Sequence, residues 1–135
     1  MLSIMESETH PLPHHPPIRE GGKTHGKIIL LIEESPMLRN VIVHELTSLG
    51  YRVLAAADPE RPDFHSQLRL ADIAVVSFHW NRGSGWEIFN RLKATHADLP
   101  VLLYTMADGP AIGVKAIAEA LAEAFSAGQQ RRLAS

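Results

Sequence analysis

Four short apolar runs, each followed by a helical pattern, constrain this 135-residue chain more than any other feature. Ile28-Ile29-Leu30-Leu31-Ile32 is continuously apolar and rich in β-branched residues. A strand with one face in water would alternate apolar and polar positions, so this run predicts a strand covered on both faces. Tyr51–Ala55, Ile73–Phe78 and Pro100–Thr105 are the further strand candidates.

Helix signals fill the intervals. Ser35-Pro36 reads as an N-cap and first helical residue. Leu38, Val41, Ile42, Leu46 and Leu49 then fall at helical spacing, and Gly50 stops the pattern. Asp58-Pro59 opens a weaker helix through Phe64 and Leu68, with Pro62 unsettling its first turn. Ser84-Gly85-Trp86-Glu87 fits a capping box ahead of Ile88, Phe89 and Leu92. Asp108-Gly109-Pro110 starts a last helix, striped by Val114, Ile117, Leu121 and Phe125. Strand and helix alternating four times predict βαβ units, a parallel sheet, and helices on both of its faces.

The length suits one domain, and 45% hydrophobic content suits a packed core. A formal net charge of -2 lacks the basic excess of a nucleic-acid surface. The absence of cysteine removes disulfides and thiolate metal sites. No apolar run approaches the roughly 18 residues of a membrane span, and no basic-then-apolar leader opens the chain. A cytoplasmic protein with no membrane or nucleic-acid role is the expectation.

Residues 1–26 stand apart. Pro11, Pro13, Pro16 and Pro17, His10, His14, His15 and His25, and Gly21-Gly22 show neither a period of 2 nor one of 3.6. A flexible tail is expected, with the ordered domain at 27–128 and a frayed end at 129–135. The tail histidines could meet a transition metal, but nothing nearby supplies a fixed geometry. Arg131-Arg132 reads as part of a solvated terminus.

The segment Asp72-Ile-Ala-Val-Val-Ser77-Phe-His-Trp-Asn81-Arg-Gly-Ser-Gly85-Trp-Glu87 resembles the centre of a response-regulator receiver domain. Lys27-Ile-Ile-Leu-Leu-Ile-Glu33-Glu34-Ser-Pro-Met-Leu-Arg39 is similar to that family's first strand, acidic pair and first helix. Leu49-Gly50-Tyr51 is similar to the turn into its second strand, Gly85 to a family glycine, and Thr105 to its switch threonine or serine. The resemblance covers residues 27–106. It implies a flavodoxin-like, doubly wound α/β fold of strand order 2-1-3-4-5, with the site at the carboxyl ends of the strands.

The departures mark a degenerate member of the two-component phosphorelay family. Where the family carries its phospho-acceptor aspartate, this chain has Ser77. Mg²⁺ is held largely through carboxylates. Glu33 and Glu34 keep the acidic pair on longer stems, but the third carboxylate is gone. A serine hydroxyl without an activating base is a poor nucleophile. The resemblance therefore implies no acyl-phosphate and no cofactor, with residual Mg²⁺ binding not expected. Asn81 stands where the family often has proline.

Two readings of the C-terminal part compete. In one, Gly113-Val114-Lys115 is the remnant of a fifth strand, and Lys115 the equivalent of its phosphate-binding lysine. In the other, residues 110–127 form the fourth helix and nothing follows. The stripe favours the second, because a strand inside it would break the period. The strand ending at Thr105 then becomes an uncharged apolar edge. Such an edge invites a homodimer or another partner, unless the tail covers it.

Ser77 and His79 alternate along their strand and could face one cleft, but hydrolase chemistry would also need a third group to orient the imidazole. Asp72, about 16 Å away along an extended strand, cannot orient that histidine. Trp80 and Trp86 flank the 81–85 loop as core lids or binding anchors. The expected function is that of a receiver-like, non-enzymatic protein that contacts a signalling partner, such as a histidine kinase or another regulator, without its own phosphorylation. Its expected surface is the helix 110–127 and the neighbouring strand. The alternative is a small-molecule or nucleotide-binding flavodoxin-like protein, disfavoured by the lack of a glycine-rich loop after the first strand.

Overall fold

The computed structural model describes residues 26–81 and 83–134, with side chains described as far as residue 126. The tail histidines and the side chains of Arg131 and Arg132 lie outside what is described. In chain order the elements are β1 (Ile28–Ile32), α1 (Pro36–Ser48), β2 (Arg52–Ala56), α2 (Phe64–Leu70), β3 (Ile73–Ser77), α3 (Gly85–Thr95), β4 (Val101–Tyr104) and α4 (Pro110–Ala134). The four strands form one parallel sheet in the order β2-β1-β3-β4.

The apolar runs of the two central strands, β1 and β3, are buried on both faces, as their composition demands, while β2 and β4 are only partly buried. Ile29 and Leu31 point into a layer with Ile42 and Leu46 of α1. Leu30 and Ile32 point into the opposite layer with Phe64 and Leu68 of α2 and Ile88 and Leu92 of α3. This division follows from handedness. The crossover from β1 to β2 runs one way along the sheet, and those from β2 to β3 and from β3 to β4 run the other way. Right-handed connections then place α1 on one face and α2 and α3 on the other.

The last helix breaks that pattern. A right-handed crossover to a strand beyond β4 would lie with α2 and α3. Instead Val114, Ile117 and Leu121 pack with Ile42, Leu46, Val75 and Tyr104, on the α1 face. The expected helix at 110–127 forms, but it covers the face that α1 alone leaves open, and it continues to Ala134. Tyr51 meets Phe125 with ring centroids 5.9 Å apart. Gly113-Val114-Lys115 is helical, so the strand-remnant reading is corrected; no fifth strand is present among the described residues. Among the described residues β4 is an edge of the sheet.

Local signals were followed unevenly. Ser35 caps α1 by accepting the Leu38 N–H at 3.3 Å, and Gly50 takes φ 102° just beyond the helix. Val41 and Leu49 were expected in the buried stripe of α1. Both are exposed, and they look into a groove of about 1120 Å³ between α1 and α4. Asp58-Pro59 makes a turn rather than a helix start, with Asp58 Oδ1 accepting the Glu60 N–H at 2.9 Å. α2 begins only after Pro62, at Phe64.

Candidate functional site

The carboxyl ends of β1, β3 and β4 bring Glu33, Glu34, Ser77 and Thr105 to one end of the sheet. Glu33 and Ser77 are buried, at 2% and 5% exposure. A buried carboxylate needs partners for both oxygens. Glu33 has them: Oε1 accepts a short hydrogen bond from the Tyr104 hydroxyl, and Oε2 accepts the Ser35 N–H at 3.0 Å. Arg39 Nη1 donates to the Glu33 and Glu34 carbonyls at 2.8 and 3.2 Å. Glu34 turns outward, where its Oε1 accepts the Asn81 N–H at 2.9 Å.

Tyr104 is the residue that sequence reasoning missed. It was counted only as part of an apolar strand. Because side chains alternate along β4, Tyr104 points into the α1 layer while its hydroxyl reaches the strand ends. Burial, and then the hydrogen bond and charge of Glu33, push its phenol well above the usual tyrosine range; the Ser77 hydroxyl pulls weakly the other way. A polar tip on the last residue of an otherwise apolar strand, facing an acidic pair two strands away, was the available signal.

Of the remaining candidates, His79 and Thr105 pair through their side chains, while Asp72 and Lys115 lie elsewhere. The Ser77 hydroxyl donates to the His79 carbonyl at 3.4 Å, while His79 Nε2 pairs with Thr105 Oγ1 at 3.2 Å. The imidazole is thus directed at Thr105, and a Ser-His couple is not assembled. Asp72 sits at the far end of β3, where its Oδ2 accepts the Ile28 N–H at 2.7 Å. Lys115 lines the groove beside Asn40, Val41 and His44 of α1, away from this cluster.

Trp80 closes the side of the site, its Nε1–H donating to the Ser77 carbonyl at 2.7 Å. Trp86 is 52% exposed and stacks on Phe89 at 5.1 Å. The expected capping box does not form. Ser84 is extended and bridges back to His79, and its side chain makes no cap bond. The loop instead closes through the Gly85 N–H, which donates to the Phe78 carbonyl at 2.8 Å. A Cβ on Gly85 would stand 2.0 Å from the Ser77 carbonyl oxygen, so only glycine permits this approach.

As arranged, these side chains do not fit a magnesium cradle. Both Glu33 oxygens are engaged, one Glu34 oxygen is engaged, and Ser77 offers a hydroxyl where a carboxylate would be required. Among the described residues, no three His, Cys, Asp or Glu side chains converge to hold a metal ion. Among them too, no helix is long and apolar enough to cross a membrane.

No family model matches the chain. Over 77 residues, 57% of its length, it is 32% identical to the regulatory protein VirG of Rhizobium rhizogenes. It is 31% identical over 77 residues to VirG of Agrobacterium fabrum. The matched part spans about a third of those relatives, 32% and 30% of their lengths. Among solved structures, the response regulator TrrA of Thermotoga maritima, in complex with Mg²⁺ and BeF, aligns with a TM-score of 0.53 at 24% identity. That match covers 59% of this chain and 70% of the other. The chemotaxis response regulator CheY4 of Vibrio cholerae aligns at 0.52 and 22% identity, covering 63% and 72%.

Proposed function

We propose that this chain, a response-regulator receiver-like domain of the two-component signalling class, signals through protein contact without a phosphoryl group of its own. The observation that carries the reading is the closed hydrogen-bond set on Glu33. Tyr104 and Ser35 satisfy the carboxylate internally, so both oxygens of the buried Glu33 already have donors from the protein itself. Ser77 takes the position matched to the phospho-acceptor, and no base is directed at its hydroxyl. Thr105, the switch-equivalent position, is held by His79 and accepts the Ala107 N–H at 3.1 Å. In this reading the domain rests in one state, fixed by its own side chains.

The partner in this reading is a signalling protein, a histidine kinase or another regulator, met in the cytoplasm. The formal net charge of -2 favours a protein over a nucleic acid as that partner. The contact surface is the open side formed by β4 and α4. The chain acts as a binder and not as an enzyme. A nucleotide or small molecule in the strand-end crevice is the less supported reading, because the cavity of about 540 Å³ beside Trp80 and Asn81 is lined by Glu34, Asp58, Glu60 and Glu87, carboxylates that would repel a phosphate.

Thermal melting with Mg²⁺ and beryllofluoride, a phosphoryl mimic, tests the proposal. An unchanged melting temperature in both is expected. Stabilisation that requires the two together would show a working acceptor pocket and overturn it.

A further inference from the structure

Among the described residues, β4 presents an unpaired strand edge. The Ala74 N–H donates to the Pro100 carbonyl at 3.0 Å, and the Phe78 N–H to the Tyr104 carbonyl at 2.8 Å. Pro100, Leu102 and Tyr104 therefore direct their main-chain groups toward β3, and by alternation Val101, Leu103 and Thr105 direct theirs outward. Native edges are usually guarded by charge, proline or a bulge. From Val101 to Met106 this one carries no charge and no proline, and its pairing with β3 is regular.

Two cavities flank that edge. One, of about 330 Å³, lies between β4 and the outer side of α4, along Leu102, Ile112, Gly113, Ala116 and Ala120. The other, of about 370 Å³, lies by Leu103, Phe78 and His79 on the opposite face. Ile112 is 59% exposed and Phe78 40% exposed. The occupant must therefore supply an extended strand and apolar side chains on both faces of the sheet.

We propose that the occupant is a second copy of this chain, with its β4 antiparallel to the first about a two-fold axis through Leu103. This rests on the contact surface proposed above, giving its β4 edge to a second copy and leaving the groove between α4 and α1 for the signalling partner; the hydrogen-bond geometry itself comes from the fold. With Leu103 opposite its symmetry mate, Val101 falls opposite Thr105 and Leu102 opposite Tyr104. All outward main-chain groups from Val101 to Thr105 then pair across the seam, and the paired strands carry no charge. The two four-stranded sheets join into one.

The helices agree with this register. α4 covers the β3–β4 half of its sheet through contacts with Val75 and Tyr104. Two strand spacings of about 4.8 Å put symmetry-related helices about 10 Å apart, a normal packing distance. The side of α4 facing the seam is Ile112, Gly113, Ala116 and Ala120, apolar throughout and small beyond its first turn. Lys115 and Glu119 face α1 and stay out of it.

Light scattering on the full chain, with Leu103→Lys and single-cysteine variants alongside, tests the proposal. The chain has no cysteine, so each introduced thiol is alone. A hydrogen-bonded antiparallel pair sets Cα atoms about 5.5 Å apart, within disulfide range. A dimeric full chain is expected, with Leu103→Lys raising its dissociation constant more than about tenfold at unchanged helical circular dichroism. Leu103→Cys is expected to cross-link under mild oxidation, and Leu102→Cys much less. Should Leu103→Lys fail to fold, the milder Leu103→Cys still decides the register. A monomeric full chain overturns the proposal, as does a dimer in which Leu103→Cys does not cross-link. Either result leaves the phosphoryl-silent reading standing, because melting with Mg²⁺ and beryllofluoride tests that separately.

Discussion

The Tyr104 hydroxyl donates a hydrogen bond to Glu33 across 71 positions of sequence, joining the end of the edge strand to the end of β1 beneath the candidate site. A hydrogen bond to a charged group contributes roughly 1.5–3 kcal/mol, and removing the donor leaves a buried carboxylate short of a partner. Tyr104→Phe is therefore expected to lower stability by about 1.5–3 kcal/mol. Urea unfolding at neutral pH measures this.

Stability should also fall in alkali in a way that this substitution changes. Burial and the neighbouring Glu33 raise the Tyr104 pKa above its ordinary value of 10.0, and burial raises that of Tyr51. Below about pH 10 both residues are neutral in the folded and unfolded chain, and their contribution is fully present. Above that pH the unfolded chain releases protons that the folded chain keeps. Stability then declines as pH rises, by up to about 1.4 kcal/mol per unit for each group. Chemical unfolding between pH 8 and pH 11 should show a shallower decline in Tyr104→Phe than in the wild type, with a residual slope from Tyr51.

Gly85→Ala should be costly although Gly85 opens a helix, where alanine normally stabilises. The added carbon would meet the Ser77 carbonyl oxygen at 2.0 Å and the Phe78 Cα at 2.8 Å, both main-chain atoms. Overpacking of this kind costs about 1–3 kcal/mol. A midpoint shift of that size in urea unfolding is expected, together with a changed fluorescence from Trp80, which hydrogen-bonds to the same carbonyl.

Leu121→Ala asks whether α4 belongs to the cooperative unit. Leu121 is fully buried against the α1 layer. Emptying such a site costs about 2–5 kcal/mol. A single unfolding transition, shifted by that amount, is expected. A helix docked only loosely would instead fray alone and leave the main transition in place.

The parallel sheet was legible because Ile28–Ile32 and Ile73–Val76 are apolar without alternation, and because each run ends in a recognisable helix start or turn. Ser35 and Gly50 announced the limits of α1 through local chemistry alone. The face taken by α4 was not legible. Its stripe says that one side is buried, and nothing in a stripe distinguishes the two faces of a sheet. Val41 and Leu49 were misplaced for the same reason, since helical spacing does not reveal how far apart two neighbouring helices stand. Ser84 matched a capping box, but an antiparallel bridge to His79 fixed its backbone first. At the site, Glu33, Glu34, Ser77 and Thr105 were all found by motif. Tyr104 was hidden among apolar neighbours, because its role depends on β3 bringing β1 and β4 within reach.

Intact mass after incubation with Mg²⁺ and acetyl phosphate tests the central claim most directly, with Ser77→Asp measured in parallel. The wild type is expected to remain unmodified. Ser77→Asp is expected to gain little, because Tyr104 still holds Glu33; adding Tyr104→Phe should raise that gain. A phosphoryl adduct on the wild-type chain, mapped to Ser77 or to any residue at the strand ends, would contradict the account.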